Sequence, residues 1–124
     1  MPMPVVVDAS ALLAFAQGEP GAERVEEALV AGATCGAANW SEVAQKVIAA
    51  ERDWSLVKAL LTSYAIDVQP VTADDAEWAA SRWRRGEALS LADRLCLALT
   101  ERLDTIVLTA DTAWGTAERV VQIR

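Results

Sequence analysis

The sequence of 124 residues contains no histidine, the side chain most often used as a general base near neutral pH. Its absence excludes a Ser-His-Asp triad and nearly every zinc site built from imidazole. The two cysteines, Cys35 and Cys96, lack CxxC spacing and stand among apolar or small residues, so we predict two buried thiols. Any chemistry must therefore use carboxylates, hydroxyls, arginine or lysine.

The sequence also lacks a long apolar run and a recognisable targeting segment. The longest uncharged stretch, residues 28–41, has 14 residues and includes two glycines and an asparagine, which makes it too short and too polar to span a bilayer. Neither a basic n-region nor an apolar stretch of signal-peptide length precedes Asp8. We therefore expect a cytoplasmic protein that does not associate with membranes.

Basic residues are scarce, with 11 lysines and arginines against 18 acidic residues and a net charge of -7. This balance argues against a nucleic-acid ligand, because phosphate binding depends on Lys and Arg. The argument weakens if some carboxylates bind divalent metal ions, since a bound ion changes the local sign of the charge.

What the sequence does contain is an alternation of strand-like and helix-like segments. Short runs rich in β-branched residues are separated by longer segments with apolar residues at helical spacing. The strand-like runs cover residues 4–7, 34–37, 66–71, 105–109 and 120–123. This alternation predicts an α/β fold in which helices cover both faces of a mostly parallel sheet.

Two of these runs, "VVVDAS" and "IVLTAD", end at an aspartate, Asp8 and Asp111 respectively. The carboxyl ends of parallel strands lie along one edge of a sheet, beside the starts of the following helices. Glu42 and Asp93 each fall in the first turn of a predicted helix. We therefore expect four carboxylates that are distant in the sequence to converge at this edge.

A plainer interpretation stays open at each of these positions. The pairs Asn39 with Glu42 and Ser90 with Asp93 have the spacing of a capping box, in which the first residue precedes a helix. Asp8 could cap a helix that begins near Ala9, and Asp111 could start a turn. Acids that only cap helices need not lie close together in space, whereas acids that form one site must. The distance between the four acids in the fold therefore distinguishes the two interpretations.

The order of four motifs resembles a known family. "VVVDAS", "NWSEVAQKV", "LSLADRLCLALTERL" and "IVLTAD", the last followed by Trp114, are similar to the PIN-domain ribonucleases, specifically the VapC-type toxins of bacterial and archaeal toxin–antitoxin pairs. The resemblance implies that residues 1–124 form a single PIN-like domain. It further implies a three-layer α/β/α architecture around a mostly parallel sheet of about five strands, with an acidic pocket that binds Mg2+ or Mn2+ and cleaves single-stranded RNA.

The resemblance carries residue by residue onto the acids. The family's four acidic positions are occupied here by Asp8, Glu42, Asp93 and Asp111. The three aspartates are expected to bind metal directly or through water, and Glu42 to bind metal or to orient the attacking water. Ser10 and Thr109 match the family's hydroxyls and are expected to hydrogen-bond to the ligands.

Mg2+ and Mn2+ prefer oxygen ligands, so a cluster of acids without His or Cys suits them. Close carboxylates should also raise the pKa of at least one of them.

The segment "SRWRRGEALS" is our candidate RNA contact, since arginine suits phosphate and tryptophan can stack on a base. The residues concerned are Arg82, Trp83, Arg84, Arg85 and Arg94. The alternative is a solvated helix end with Trp83 packed inward. Trp114 is expected in the core rather than against the substrate.

The expected partners are an RNA substrate, a cognate VapB-like antitoxin and a second copy of the chain in a homodimer. A phosphorelay receiver and a phosphoaspartyl phosphatase fit poorly. The first needs a lysine after its fifth strand, whereas the lysines here are Lys46 and Lys58, and the second needs an acid where Ser10 stands. The main alternative is a catalytically silent PIN-like module that binds protein or RNA and uses its acids only as caps.

Overall fold

The structure, a computed structural model, describes residues 4–124. Its sheet has five short strands, all paired in parallel, in the spatial order β3-β2-β1-β4-β5. The strands are β1 Val5–Val7, β2 Ala33–Gly36, β3 Asp67–Gln69, β4 Val107–Thr109 and β5 Val120–Gln122. Each lies within or beside a run that the sequence predicts, so the mostly parallel sheet of about five strands is confirmed.

Six α-helices connect the strands. They are α1 Ala9–Gln17, α2 Ala22–Ala31, α3 Ala37–Ala49, α4 Trp54–Thr62, α5 Ala73–Ser81 and α6 Leu91–Arg102, and a short 3-10 helix follows at Thr112–Trp114. Asp53 caps α4, because its side chain accepts from the N–H of Ser55.

The core is divided between the two faces of the sheet. Successive residues of a strand point to opposite faces, and Val7 packs in one buried cluster with Leu12 and Leu29, whereas Val6 packs in another with Cys96 and Leu99. Apolar layers therefore exist on both sides of the sheet, which confirms the predicted three-layer α/β/α architecture.

The predicted buried residues are found in the core. Neither cysteine is exposed to solvent, so the prediction of two buried thiols is confirmed. Trp114 is also buried, as predicted. Across residues 4–124 no helix combines the length and the apolar character needed to cross a membrane.

One predicted helix start is wrong. The spacing of Asn39 and Glu42 predicts a capping box, but α3 begins directly after β2, its cap is Gly36, and no side chain bonds to that end. Asn39 is therefore the third residue of the helix and Glu42 the sixth, so the prediction that Glu42 lies in the first turn is also wrong. The strand runs into the helix without a loop, so the two glycines and small residues of "GATCGAAN" leave the boundary ambiguous in the sequence.

Candidate active site

Asp8 lies at the centre of the candidate site because β1 is the middle strand and ends one residue before it. The pairing of Val7 with Leu108 brings Asp8 beside Thr109 at the end of β4. The hydroxyl of Thr109 donates to Asp8 Oδ2 over 2.5 Å, and that of Ser10 donates to Oδ1 over 2.8 Å. Both hydroxyls that the sequence predicts as partners of the acids therefore contact Asp8.

The same two hydroxyls are held in place by backbone N–H groups of the β4 end. Ser10 Oγ accepts from the N–H of Ala110 over 2.9 Å, and Thr109 Oγ1 accepts from the N–H of Asp111 over 3.0 Å. Each hydroxyl thus donates to the Asp8 carboxylate and accepts from a backbone N–H group. The two hydroxyl oxygens lie 3.2 Å apart because both bond to the same carboxylate.

Burial raises the pKa of Asp8 from its ordinary value of 3.8 to about 6. The hydrogen bonds from Thr109, the backbone of Ala11 and Ser10 lower it, and the charge of Asp93 raises it slightly further. The residue is only 3% exposed. The sequence predicts a raised carboxyl pKa, but it attributes the shift to neighbouring carboxylates, whereas loss of hydration is the larger cause.

Glu42 lies on α3, the helix that follows β2, and Asp93 lies in the first turn of α6, the helix that precedes β4. Burial raises the pKa of the Cys96 thiol, and the nearby carboxylates Asp8, Asp93 and Glu42 raise it further. All three carboxylates therefore lie near enough to this buried sulfur to affect its pKa. Asn39 donates both to Glu42 and to the carbonyl of Ala92, the residue before Asp93, so the helices that carry these two acids are in contact.

Asp111, the fourth acid, joins the group through the backbone. Its N–H bonds to the hydroxyl of Thr109, which in turn donates to Asp8. Its carboxylate accepts from the N–H of Ala113 over 2.9 Å at the start of the 3-10 helix, and its carbonyl accepts from Gln122 over 2.9 Å. The acid is thus fixed one hydrogen-bonded step from the centre of the site.

The acids do act as caps, and capping leaves part of each of them free. Asp93 Oδ2 accepts from the N–H of Ser90 in a complete capping box, and Asp111 Oδ1 caps the 3-10 helix. Glu42 Oε1 accepts from Asn39. Within residues 4–124 the second oxygen of each of these three carboxylates accepts no hydrogen bond from the protein. Capping and ligand binding are therefore compatible here.

The chemistry of this donor set fits a hydrated divalent ion. In the described part of the chain no three acidic or cysteine side chains come close enough to one another to hold a single ion directly. Mg2+ does not require such a cage, because it usually retains several waters while one or two carboxylates bind it. The desolvated carboxylate of Asp8, together with the unbonded carboxylate oxygens of Glu42, Asp93 and Asp111, suits that mode of binding.

The arginine segment before α6 is only partly available to a ligand. Arg82 forms a two-pronged ion pair with Glu87 at 2.7 and 3.1 Å, and Arg94 donates to the carbonyl of Ala79 over 2.7 Å. Trp83 is 52% exposed, and the guanidinium of Arg85 lies 5.7 Å from the centre of its ring.

The alternative in which Trp83 packs inward is therefore wrong. Arg84, also exposed, donates to the carbonyls of Ser81 and Trp83. Trp83, Arg84 and Arg85 are the exposed members of the predicted RNA contact, although Arg84 also bonds to backbone carbonyls. The guanidinium groups of Arg82 and Arg94 bond to Glu87 and to the carbonyl of Ala79.

One residue of the site is missed by the sequence reasoning. Asn39 donates to Glu42 and also to the carbonyl of Ala92, the residue before Asp93. The sequence analysis treats Asn39 as a helix cap and nothing more. The signal that could have separated the two roles is Gly36, which already supplies a helix start three residues earlier.

Comparison with known proteins agrees with the fold. Residues 5–120 match the family described as "PIN domain". Among solved structures, one described as "Toxin-antitoxin complex from Klebsiella pneumoniae" has a TM-score of 0.78 and 18% sequence identity, with 97% of this chain and 98% of that chain covered. At that identity the likeness concerns the fold. The search of curated proteins returned no match.

Proposed function

Because the chain belongs to the PIN domain family, we propose that it is a metal-dependent endoribonuclease that acts as the toxin of a toxin–antitoxin pair. The whole chain is then one PIN domain, and its substrate is single-stranded RNA in the cytoplasm. The observation that supports the proposal is the buried carboxylate of Asp8 at the end of the central strand, which Ser10 and Thr109 hold and to which Asp111 is linked through Thr109. Glu42 and Asp93 lie on the two helices that Asn39 joins.

In this proposal the three aspartates hold Mg2+ or Mn2+ directly or through water, and Glu42 binds the metal or orients the attacking water. When bound, such an ion lowers the pKa of a coordinated water and stabilises charge on a phosphate. Ser10 and Thr109 fix the rotamer of Asp8, because each donates to a different oxygen of that carboxylate. The buried setting of Asp8 strengthens its attraction for a cation.

The nature of the cleaved ends tests the reaction type. We expect 5′-phosphate and 3′-hydroxyl ends, because a metal-activated water leads to them, and the sequence has no histidine to assist attack by the RNA's own 2′-hydroxyl. Purified protein is incubated with total cellular RNA in Mg2+, in Mn2+ and in EDTA, and the cut ends are mapped. Cleavage that persists in EDTA, or cyclic phosphate ends, would contradict the mechanism.

Metal binding is also expected to release protons in mildly acidic solution. The pKa of Asp8 is about 6, so near that pH about half of the molecules carry a proton that a bound cation displaces. Release should diminish as the pH rises well above 6, where the carboxylate is already ionised. Calorimetric titration with Mn2+ in two buffers of different ionisation enthalpy measures it, and equal apparent heats in both buffers at pH 6 would refute it.

The alternative of a catalytically silent module keeps one supporting observation. Asp8, Asp93 and Asp111 all bond to helix starts, which a non-catalytic PIN-like protein would also need. A silent module gains no stability from metal, whereas a converged site does, by mass action. Thermal unfolding with and without modest Mn2+ therefore distinguishes the two.

The partner proposals rest on the exposed surface. A VapB-like antitoxin would place an arginine or lysine against the carboxylates, since covering that much negative charge without a cation is costly. Exposed apolar side chains on the helices between β1 and β3 offer area for the antitoxin or for a homodimer. They are Val30, Ile48, Leu56 and Leu60. Trp83, Arg84 and Arg85 are the proposed contact for RNA.

A further inference from the structure

Asn39 makes two hydrogen bonds that join the helices carrying Glu42 and Asp93. It is 1% exposed. Its side-chain nitrogen donates to Glu42 Oε1 over 3.0 Å and to the carbonyl oxygen of Ala92 over 3.4 Å. An amide NH2 has two hydrogens, so both are used. One contact is within α3, and the other reaches across to the first turn of α6.

The direction of this amide is fixed by its neighbours. If its oxygen and nitrogen were exchanged, the oxygen would face a carboxylate and a carbonyl, neither of which can donate at neutral pH. In the present direction Asn39 Oδ1 is buried, and among the described residues it has no hydrogen-bond partner. The two hydrogen bonds of the nitrogen, rather than any bond of the oxygen, are therefore what this side chain supplies.

Gly36 leaves the space that this side chain occupies. A Cβ atom on Gly36 would lie 3.3 Å from Asn39 Oδ1 and 3.5 Å from a methyl carbon of Leu99. The backbone of Gly36, with φ -71 and ψ 148, is one that any residue adopts. Glycine is therefore needed at this position because it leaves room for Asn39, and not because of its conformational freedom.

From these contacts we propose that Asn39 is a positioning residue. It holds Glu42 Oε1 beside the start of α6, and by fixing that oxygen it also fixes the direction in which Oε2 points. Asn39 acts through Glu42 and does not itself touch the substrate. The inference rests on the proposed nuclease function, because it assigns Asn39 a part in that site.

The test compares Asn39→Ala and Asn39→Asp with a matched control. Asn39→Asp keeps the shape of the side chain but replaces the donor with an acceptor. Thr100→Val is the control, since Thr100 is also fully buried, bonds to a helix carbonyl over 2.8 Å and lies outside the site. Circular dichroism and thermal unfolding confirm that each variant folds and give its loss of stability.

Loss of a residue that orients a ligand typically costs about 10- to 100-fold, so we expect kcat for RNA cleavage to fall by that factor in both Asn39 variants. KM should change less than about twofold, because Asn39 makes no contact with RNA. Calorimetry without RNA should show weaker binding of Mn2+ to Asn39→Ala by about tenfold. Thr100→Val should retain the kcat and the Mn2+ affinity of the wild type.

A double-mutant cycle with Glu42→Ala then tests whether the effect runs through Glu42. In that background Asn39→Ala should lower kcat by less than about twofold, because the group that it positions is gone. An undiminished effect in that background, or Asn39 variants that behave like Thr100→Val, would overturn the inference while leaving the nuclease proposal intact. A wild type that neither cleaves RNA nor binds Mn2+ would overturn both.

Discussion

Replacing Asp8 with asparagine is expected to remove almost all RNA cleavage and, in the absence of metal, to make the protein more stable above pH 6. Loss of activity should exceed about 100-fold, because even residues that only support a metal ligand cost 10- to 100-fold when they are replaced. The amide keeps an oxygen that can accept from the N–H of Ala11, so the cap of α1 is retained. The variant should therefore fold.

The gain in stability follows from the direction of the pKa shift. The folded state raises the pKa of Asp8 from 3.8 to about 6, so between these pH values the folded chain holds a proton that the unfolded chain has lost. The free energy of unfolding then falls as the pH rises through this window. Above pH 6 the buried carboxylate is ionised, and its burial lowers the free energy of unfolding by about 3 kcal/mol by the standard conversion of a pKa difference. Asparagine carries no charge and avoids this loss of stability.

Urea unfolding in EDTA at pH 4 and pH 7.5 measures this difference, and a cleavage assay measures the activity. Asp74→Asn is the matched control, because Asp74 is exposed on α5, and it should remain active and change stability by less than about 0.5 kcal/mol.

Asp93→Asn and Asp111→Asn should lose most of their activity and still fold. Full activity in any two of the three site variants would refute the four-acid pocket, and an Asp8→Asn chain less stable than the wild type at pH 7.5 would refute the account of its burial.

Production of the wild-type chain in a bacterial cell is expected to arrest growth, and co-production of its antitoxin should restore it. Under the proposed function each molecule would cleave RNA repeatedly, so the effect should be large. Asp8→Asn should also restore growth, since it removes the central carboxylate without unfolding the chain. Colony counts after induction measure the outcome.

The control in this experiment is Asp74→Asn, which should arrest growth as the wild type does when produced to the same level. Immunoblots check that levels are equal, and sequencing of RNA ends shows whether arrest accompanies cleavage. A wild-type chain that is harmless at high level, with an unchanged RNA pattern, would favour the silent binding module. An antitoxin without a basic residue against the acids would contradict only the proposed mode of inhibition.

Much of the fold can be predicted from the sequence because its strands are short and sharply bounded. "VVVDAS" and "IVLTAD" each pass from β-branched residues to an acid within three or four positions, and both acids follow a strand in the structure. Ser90 and Asp93 form the capping box that their spacing predicts. These features depend on local chemistry, which neighbours in the sequence determine.

The features that sequence reasoning misses depend on contacts between distant segments. The main cause of the Asp8 pKa shift is burial, which requires the layers above and below the sheet. The second hydrogen bond of Asn39 crosses to Ala92, 53 positions away, and no pattern within "GAANWSE" reveals it. The exposure of Trp83 likewise depends on how the segment after α5 folds back towards α6.

The hydrogen bond between Asp8 and Thr109 spans 101 positions, so the two halves of the site leave the ribosome far apart in time. At about 5–20 residues per second, Asp8 waits roughly 5 to 20 seconds for its hydroxyl partner. During that interval β1 can pair with β2, but β4 is missing on its other side. A nascent chain therefore lacks an assembled site, and under the proposed function it could not cut RNA until Thr109 has been added and β4 has paired with β1.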